Sequence, residues 1–590
     1  MILLKHFRHY YIKYGLAFLV GLAILVAVDW FQLEIPRIIK VIINGVEGIE
    51  GFTLITSINQ IWAPLLTILG IVVGMTVGRF LWRITLIGNS RRIETDIRSE
   101  MFKHATELDQ NFYSNEKIGG LMSYFINDLN AVKELYGFGL LMLVDGLVLG
   151  GFVLVRMFSL NWEMTLYAAI PLALMGVLVF FLELKMEKKF KLRQESFESM
   201  SDFSQESFSG ITVIKAYVRE AVESLRFTKK SKDVFDKSMD HLKYSVVVNV
   251  IIDAMISLVI LAILAFGAIL IAKGNLSSGE LTEYITYFFT LLWPVFAISS
   301  FMNINGQAQA SAKRIAEFLD SKPSVVDGPN AIKNVTLDGS ISVSHLSFTY
   351  PDSEKPTLKD MSFEVKPGEM VGILGRTGSG KSTLVELFLH LYNTEKGMIR
   401  FGGYDLMELS LATLREHIGY VPQDNFLYSD TIKNNIGFAY TSIDNERLIQ
   451  VAKISDIHEN VLEFKDGYET MLGERGATIS GGQKQRVSIA RALAKEPKVL
   501  ILDDSVSAVD TKTEEAIITN LRQVRKGKTT LMIAHRISTV KKLDKIVVID
   551  QGQVVGVGTH AELMKTLPLY QEMVKLQELE ELVGEVEAHA

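Results

Sequence analysis

Six stretches in the first half of the chain, 15–43, 62–87, 137–157, 164–184, 246–271 and 281–304, each hold about the 20 mostly apolar residues that a bilayer-spanning helix requires. Hydrocarbon offers no water to backbone N–H and C=O groups, so such stretches have to fold as helices. An even number of spans puts both ends of this half on one side. The connecting segments 88–136 and 185–245 carry Arg91, Arg92, Arg98 and Lys103, then Lys185, Lys188, Lys189, Lys191 and Arg193, whereas the alternate connections are short and nearly free of basic residues. The excess of Lys and Arg on the inner side of membranes therefore assigns both long segments, and both termini, to the cytoplasm. These segments are too long to be simple loops. Runs such as RRIETDIRSEMFKHATELDQ mix charged and apolar residues at helical spacing, which predicts two helical hairpins with tips at 112–120 and 206–217. Apolar Ile211, Val213 and Ile214 at the second tip point to a docking partner, whereas a solvated turn would not need them.

Composition fits this division. Hydrophobic residues make up 48% of the 590 and are crowded into the first half, and the mean hydropathy of +0.23 is too high for a soluble chain of this size. The net charge of −6 argues against a nucleic-acid partner, because phosphate backbones reward a basic surface. The absence of cysteine excludes disulfides, thiolate metal sites and cysteine nucleophiles. The opening MILLKHFRHYYIKYG is basic and aromatic and runs straight into the first span, which reads as a membrane-interface anchor and not as a removable signal. No transit peptide precedes it, and together with the lack of cysteine this fits a bacterial plasma-membrane protein.

After residue 321 the pattern changes. Residues 322–338 have the Pro, Gly and Asn of a linker, and ISVSHLSFTY then opens a strand by alternation. Short strands alternate with helices over 339–576, as in an α/β domain, and an acidic tail, 577–590, continues with helical spacing. The fold expected is thus a helical membrane domain of six spans fused to an α/β nucleotide-binding domain.

Within the second part, Gly375, Arg376, Thr377, Gly378, Ser379, Gly380, Lys381 and Ser382 spell the phosphate-binding pattern G-x-x-x-x-G-K-[ST], followed by Thr383. It sits where it should, between the apolar strand EMVGIL and the helix STLVELFLHLY. Glycines let the backbone turn its N–H groups onto phosphates, the helix N-terminus adds its dipole, Lys381 reaches the outer phosphate oxygens and Ser382 can hold Mg2+. The aliphatic run Val499 to Leu502 ends in Asp503, which supplies the other Mg2+ contact.

A third motif, ISGGQKQR at 479–486, resembles the signature sequence of the ABC ATPases, and the whole chain resembles a half-transporter of the type IV exporter fold. The resemblance implies roles for further residues. Tyr350 matches the aromatic that stacks on adenine, Gln423 the glutamine loop that contacts Mg2+ and the attacking water, and Glu474 the segment facing the membrane part. Asp510 matches the D-loop and His535 the switch histidine. Ser480, Gly481, Gly482 and Gln483 would complete the ATP site of a second subunit, so the protein would work as a dimer, and the two tips would be its coupling helices. Ile479 stands where the family usually has leucine.

Asp504 is the larger departure. The family's glutamate polarises the attacking water, and a general base contributes typically about 10²- to 10⁴-fold. One methylene less displaces the carboxylate by about 1 Å, which by itself can cost on the order of 100-fold. Asp504 is therefore expected to leave ATP bound and hydrolysis slow, which implies a heterodimer whose partner carries the glutamate. The resemblance implies ATP-driven export of amphipathic compounds, drugs or lipids. An importer on the same fold, for example for a metal chelate, a homodimeric lipid or drug flippase and a regulatory subunit remain as other readings. Asp29, Asp145 and Asp253 lie within or near spans; Asp145 and Asp253 fit a water-accessible cavity or a substrate site equally, Asp29 fits a place near the outer surface, and Arg79 and Arg83 fit ion-pair partners or side chains snorkelling to an interface. An ionisable residue in a membrane is by default a functional-site hypothesis. The abundant Phe and Met suit a drug-binding surface or lipid-facing helices equally.

Overall fold

The computed structural model describes residues 5–116, 118–505, 509–534 and 536–589, so that His535 and 506–508 lie outside the described residues. The chain divides into two compact units: Met1–His104 with Gly119–Asp320, and Ala105–Ile118 with Ser321–Ala590.

The first unit is helical. A short helix α1 (Lys5–Lys13) leads into α2 (Gly15–Glu47), α3 (Trp62–Glu107), and, after the small helix α4 (Gln110–Asn115), α5 (Ile118–Leu160), α6 (Trp162–Ser209), α7 (Ile211–Ala216), α8 (Glu220–Ala272) and α9 (Ser278–Asp320). Among the described residues α2, α3, α5, α8 and α9 are long and apolar enough to cross a membrane. The remaining expected span, 164–184, falls in α6, where several side chains lie outside the described set. The helices run well past the apolar stretches, because the charged segments continue the same 3.6-residue periodicity.

Buried polar contacts fix the register of these helices. Asn44 near the end of α2 accepts from the Gly279 N–H at 3.0 Å and donates to Ser277 Oγ at 3.0 Å, satisfying the otherwise orphaned start of α9. Tyr287 Oη donates to the Leu33 carbonyl at 3.0 Å and lies 2.9 Å from Glu283, which pairs with Lys40 at 3.3 Å. Farther along, Asp128 accepts from Ser311 at 2.8 Å and from Arg314. Helix α5 is not uniform. Three π-helical turns interrupt it, at Tyr124–Asp128, Leu135–Gly139 and Asp145–Leu149. Such turns insert one extra residue and re-aim the side chains that follow, often at functional sites.

The second unit contains two sheets. A four-stranded antiparallel sheet, order β2-β1-β4-β5, is built from β1 (Ile341–Phe348), β2 (Leu358–Val365), β4 (Ile399–Phe401) and β5 (Tyr404–Asp405). A six-stranded sheet has the order β10-β9-β3-β8-β7-β6, with β3 (Met370–Gly375), β6 (Ile418–Val421), β7 (Val499–Asp503), β8 (Thr529–Ala534) and β9 (Lys545–Asp550) parallel and β10 (Gln553–Gly558) antiparallel. Strands β3, β7 and β8 are buried at every residue, as a parallel sheet covered on both faces demands. Arg525 is buried at one end of this sheet without a carboxylate partner; its guanidinium donates to the carbonyls of Pro497 and Thr529 at 3.1 and 2.7 Å and to Thr530 Oγ1 at 3.0 Å.

The stretch Ala105–Ile118, which holds most of the first expected tip, belongs with the second unit. Asp109 caps α4 by accepting from the Phe112 N–H at 3.2 Å and also accepts from the Val325 N–H at 3.1 Å, while Ser114 Oγ lies 3.3 Å from Tyr392 Oη. The acidic tail is not a separate element: a single helix runs from Pro568 to His589.

Candidate functional site

Parallel strands of one sheet end on the same edge, and this places the sequence motifs together. Strand β8 lies between β3 and β7, with Leu374 opposite Ala534 and Ile533 opposite Asp503. Gly375 and Asp503 therefore finish two strands apart at the same edge. The phosphate-binding loop follows β3, and its conformation needs glycine at two points. Gly378 and Gly380 have φ of 80° and 100°, and a Cβ on Gly380 would meet Leu358 Cδ2 at 2.5 Å. Behind the loop, Gly375 passes so close to β9 that a Cβ would lie 2.3 Å from the Ile549 carbonyl.

Lys381 opens the helix Lys381–Phe388 and is buried; its ammonium donates to the carbonyls of Gly375 and Arg376 at 2.8 and 3.0 Å. Burial holds its pKa below the usual lysine value, with the charges of Asp503 and Asp504 acting in the opposite sense. Ser382 is exposed in the first turn of that helix, Ser379 is buried with an unpartnered Oγ, and Thr383 is buried. Arg376 and Thr377 are exposed in the loop, where Arg376 pairs with Glu572 at 3.3 Å.

Asp503 is only 4% exposed. Burial, and next the neighbouring charge of Asp504, pushes its carboxyl up to about 6, while Lys381 pulls it down. Asp504 is held by its backbone. Its N–H donates to the Ile533 carbonyl at 2.9 Å, its carbonyl accepts from Gln485 Nε2 at 3.1 Å, and its φ of 46° lies in the left-handed region. The buried Gln485 belongs to the helix Gly481–Ala494. Gln485 stands within the third motif, but its task depends on two segments meeting in space and leaves no local signal in the sequence.

That helix begins with Ser480 and Gln483 as a reciprocal cap. Ser480 Oγ accepts from the Gln483 N–H at 3.3 Å and Gln483 Oε1 accepts from the Ser480 N–H at 2.9 Å. Ser480 and Gly481 are exposed and Gly482 is partly so, so the hydroxyl hydrogen and helix-terminal N–H groups face outward. Ile479 packs into the core below, where a Leu-sized side chain of another branching is well accommodated. Asp510 caps the helix Thr511–Val524, accepting from the N–H groups of Lys512 and Thr513 at 3.1 Å each.

The remaining expected residues fall around this edge. Gln423 is exposed just after β6, the neighbour of β7. Tyr350 is half-buried against Phe348 and Tyr392, with its Oη 2.7 Å from Glu386 Oε2 and 2.9 Å from Thr383 Oγ1, donating to the carboxylate. Glu386, one turn beyond the loop, went unremarked in the sequence; a carboxylate in a helix carries no motif of its own. Glu474 is exposed in a tight turn beside Arg475, whose φ is 51°. His535, expected just beyond β8, lies outside the described residues.

The donor set suits a nucleotide with Mg2+. Mg2+ takes oxygen ligands and commonly draws only one or two from protein, the rest from phosphates and water, and Ser382, Asp503 and Gln423 supply oxygens of that kind. Mg2+ would neutralise phosphate charge there when bound.

A phosphate loop and an acid-ended strand on one sheet edge, in a chain with membrane-length helices, define a P-loop nucleotide-binding domain fused to a helical membrane domain. Comparison narrows this. Residues 18–295 match the ABC transporter transmembrane region and 358–507 the ABC transporter domain. The chain is 35% identical over 581 residues, 98% of each sequence, to a probable multidrug resistance ABC transporter ATP-binding/permease protein, YheI, of Bacillus subtilis. It is 34% identical, over 95% of this chain and 94% of the relative, to the multidrug resistance-like ATP-binding protein MdlA of Escherichia coli. Its fold matches a bacterial Atm1-family ABC exporter solved with ATP bound, with a TM-score of 0.74 and 24% identity, covering 97% of this chain and 98% of that one. The chain belongs to the ABC transporter family and has the half-transporter layout of its exporter fold.

Proposed function

We propose that this protein is one half of a heterodimeric ATP-driven exporter of amphipathic compounds, drugs or lipids, in a bacterial plasma membrane, and that its own hydrolytic site is weak. Both termini lie in the cytoplasm in this reading. Lys381 and the loop Gly375–Ser382 hold the ATP phosphates, Tyr350 stacks on the adenine, and Ser382, Asp503 and Gln423 hold Mg2+. Ser480, Gly481, Gly482 and Gln483 complete the partner subunit's site, Asp510 lies at the junction, and His535 acts as the switch. The tips at 112–120 and 206–217 couple nucleotide binding to the spans.

One observation carries the weak-site reading. A shorter carboxylate could still work if the backbone advanced by about 1 Å to compensate. At Asp504 both the N–H and the carbonyl are tied, to Ile533 and Gln485, and the residue sits in a left-handed conformation. Advancing it breaks two hydrogen bonds, each worth about 1 kcal/mol. The relatives named for multidrug resistance support the export direction.

The test is steady-state ATP hydrolysis by this chain alone and with its partner subunit, each with and without Asp504→Glu. The expected pattern is a nearly inactive lone chain, an active pair, and a lone-chain gain on the order of 10- to 100-fold on substitution. Brisk turnover by the unsubstituted lone chain would sink the weak-site reading.

A further inference from the structure

Inside the first unit, α2, α3, α5 and α9 enclose a cavity of about 370 Å³ lined by Asp29, Gln32, Arg79, Arg83, Asp145 and Trp293 together with apolar side chains. Its size falls in the range of small-molecule sites, roughly 300–1,000 Å³. The carboxylates are 4% exposed at Asp29 and 8% at Asp145, and among the described residues Oδ2 of Asp29 and Oδ1 of Asp145 are buried without a hydrogen-bond partner. The other Asp145 oxygen accepts from Trp293 Nε1 at 2.9 Å.

Arg79 and Arg83 also line the cavity, and Arg79 acts electrostatically on both carboxylates, but neither arginine hydrogen-bonds the two orphaned oxygens. Arg79 donates to Gln32 Oε1 at 3.2 Å, Arg83 lies over the Trp82 ring at 5.4 Å, and both side chains are exposed while the carboxylates are not. The backbone presents the acids on purpose-built geometry. Asp145 opens the third π-helical turn of α5, and Gly146 and Gly150 let that helix close on Pro294: a Cβ on Gly150 would lie 3.1 Å from Pro294 Cβ. This close approach seats Trp293 beside Asp145. Buried carboxylates without donors are costly, and in a membrane they mark substrate or ion pathways.

We infer that this cavity is a binding site for amphipathic amines, whose protonated nitrogen is held between Asp29 and Asp145 while the apolar body lies against the aromatic and aliphatic wall. A protonated amine brings what the two orphaned oxygens lack, charged N–H donors small enough to enter the cavity beside them. The Trp293 indole ring adds an aromatic face of the kind that attracts cations. A neutral or anionic amphiphile of the same bulk would offer the two oxygens only uncharged donors or none, and so weaker pairing. This inference rests on the export reading only for its physiological meaning; the site itself is defined by binding.

The experiment uses the full transporter in lipid nanodiscs and two probes, the primary amine of mono-dansylated 1,8-diaminooctane and its N-acetylated, neutral counterpart. Binding is read by dansyl anisotropy without nucleotide, for wild type, Asp29→Asn, Asp145→Asn and the double variant. The amine should bind wild type at least 10-fold more tightly than the acetylated probe, each single variant should lose most of that preference, and the double variant all of it. In unsubstituted protein the amine, and not its acetylated form, should slow modification of Asp29 and Asp145 by dicyclohexylcarbodiimide, read by peptide mass spectrometry, which settles the matter even where a variant fails to assemble. Equal binding of the two probes, or a preference untouched by the substitutions, overturns the inference. Loss of the amine preference in binding together with ATP-driven uptake of any compound into inverted vesicles would overturn it while leaving export intact, and an intact amine preference in binding with no ATP-driven transport of any compound would keep the site and remove the export reading.

Discussion

Two pairs of aspartates, one in each unit, differ in how completely the protein satisfies them. Asp503 and Asp504 end a strand whose neighbours hold Asp504 by both main-chain groups, with Lys381 close enough to influence the titration of Asp503. Asp29 and Asp145 are about as deeply buried as Asp503 and more so than Asp504, yet among the described residues each keeps a carboxylate oxygen with no donor. In the proposed function the first pair meets a ligand whose charge and shape do not vary, and the main chain of Asp504 is fixed in advance. The second leaves donors to be supplied from outside. A site that stays unsatisfied until something arrives gives up stability in exchange for selectivity.

The largest effect expected on this contrast is at Lys381. Lys381→Met removes the buried cation of the loop and should weaken binding of a fluorescent ATP analogue by about 100-fold, the size of one lost charged hydrogen bond of about 3 kcal/mol. A change under about threefold would show that the loop backbone alone carries the phosphates.

Next comes Asp503. Its carboxyl titrates at about 6 in the folded protein but near 3.9 when unfolded. Folding therefore disfavours the charged form, so stability falls as pH rises from about 4 to about 6 and stays lower above that. Asp503→Asn should raise the nucleotide-free thermal unfolding midpoint at pH 8 by the equivalent of up to about 3 kcal/mol, a gain that fades toward pH 4. In the same wild-type protein, Mg2+-dependent nucleotide affinity should fall as pH drops through 6, because the ligand must be deprotonated. A flat profile would mean that Asp503 does not meet the metal.

Gln485→Ala should cost about 1 kcal/mol, the loss of one part-buried hydrogen bond to the Asp504 carbonyl. Combined with Asp504→Glu in a double-mutant cycle on ATPase rate, it should be non-additive, because the two residues share one hydrogen bond. Strict additivity would mean that the backbone tie does not set the carboxylate's position. An effect of similar size and opposite sign is expected in the membrane unit. Asp29→Leu replaces an incompletely paired acid with an apolar side chain and should stabilise the detergent-solubilised protein by about 0.5–2 kcal/mol. Destabilisation there would mean that the membrane pair is satisfied after all and that the two regions are alike.

Much of the second unit was legible because its information is local. The loop glycines, Lys381 and the aliphatic run into Asp503 each announce themselves within ten residues, and the strand opening at Ile341 follows its alternation. The apolar stretches likewise announced long helices. What depends on distant segments was not legible. Gln485 reaches Asp504 across nineteen residues, Tyr350 reaches Glu386 across thirty-six, and the stretch Ala105–Ile118 groups with the second unit although it is flanked by the first on both sides. The π-helical turns of α5 also left no trace, since LYGFG and DGLVL fit an ordinary helix equally well.

The left-handed backbone at Asp504 has a consequence for how such a chain can evolve. At φ of 46° the residues tolerated best after glycine are asparagine and aspartate, whose short side chains can bond locally. Glutamate shares the charge but not that tolerance. A glutamate-to-aspartate exchange at such a position would relax the backbone, and the reverse step would have to reintroduce strain. If the proposed division of labour between two subunits holds, local geometry at this position would hold it as well as selection, and the path back would run uphill.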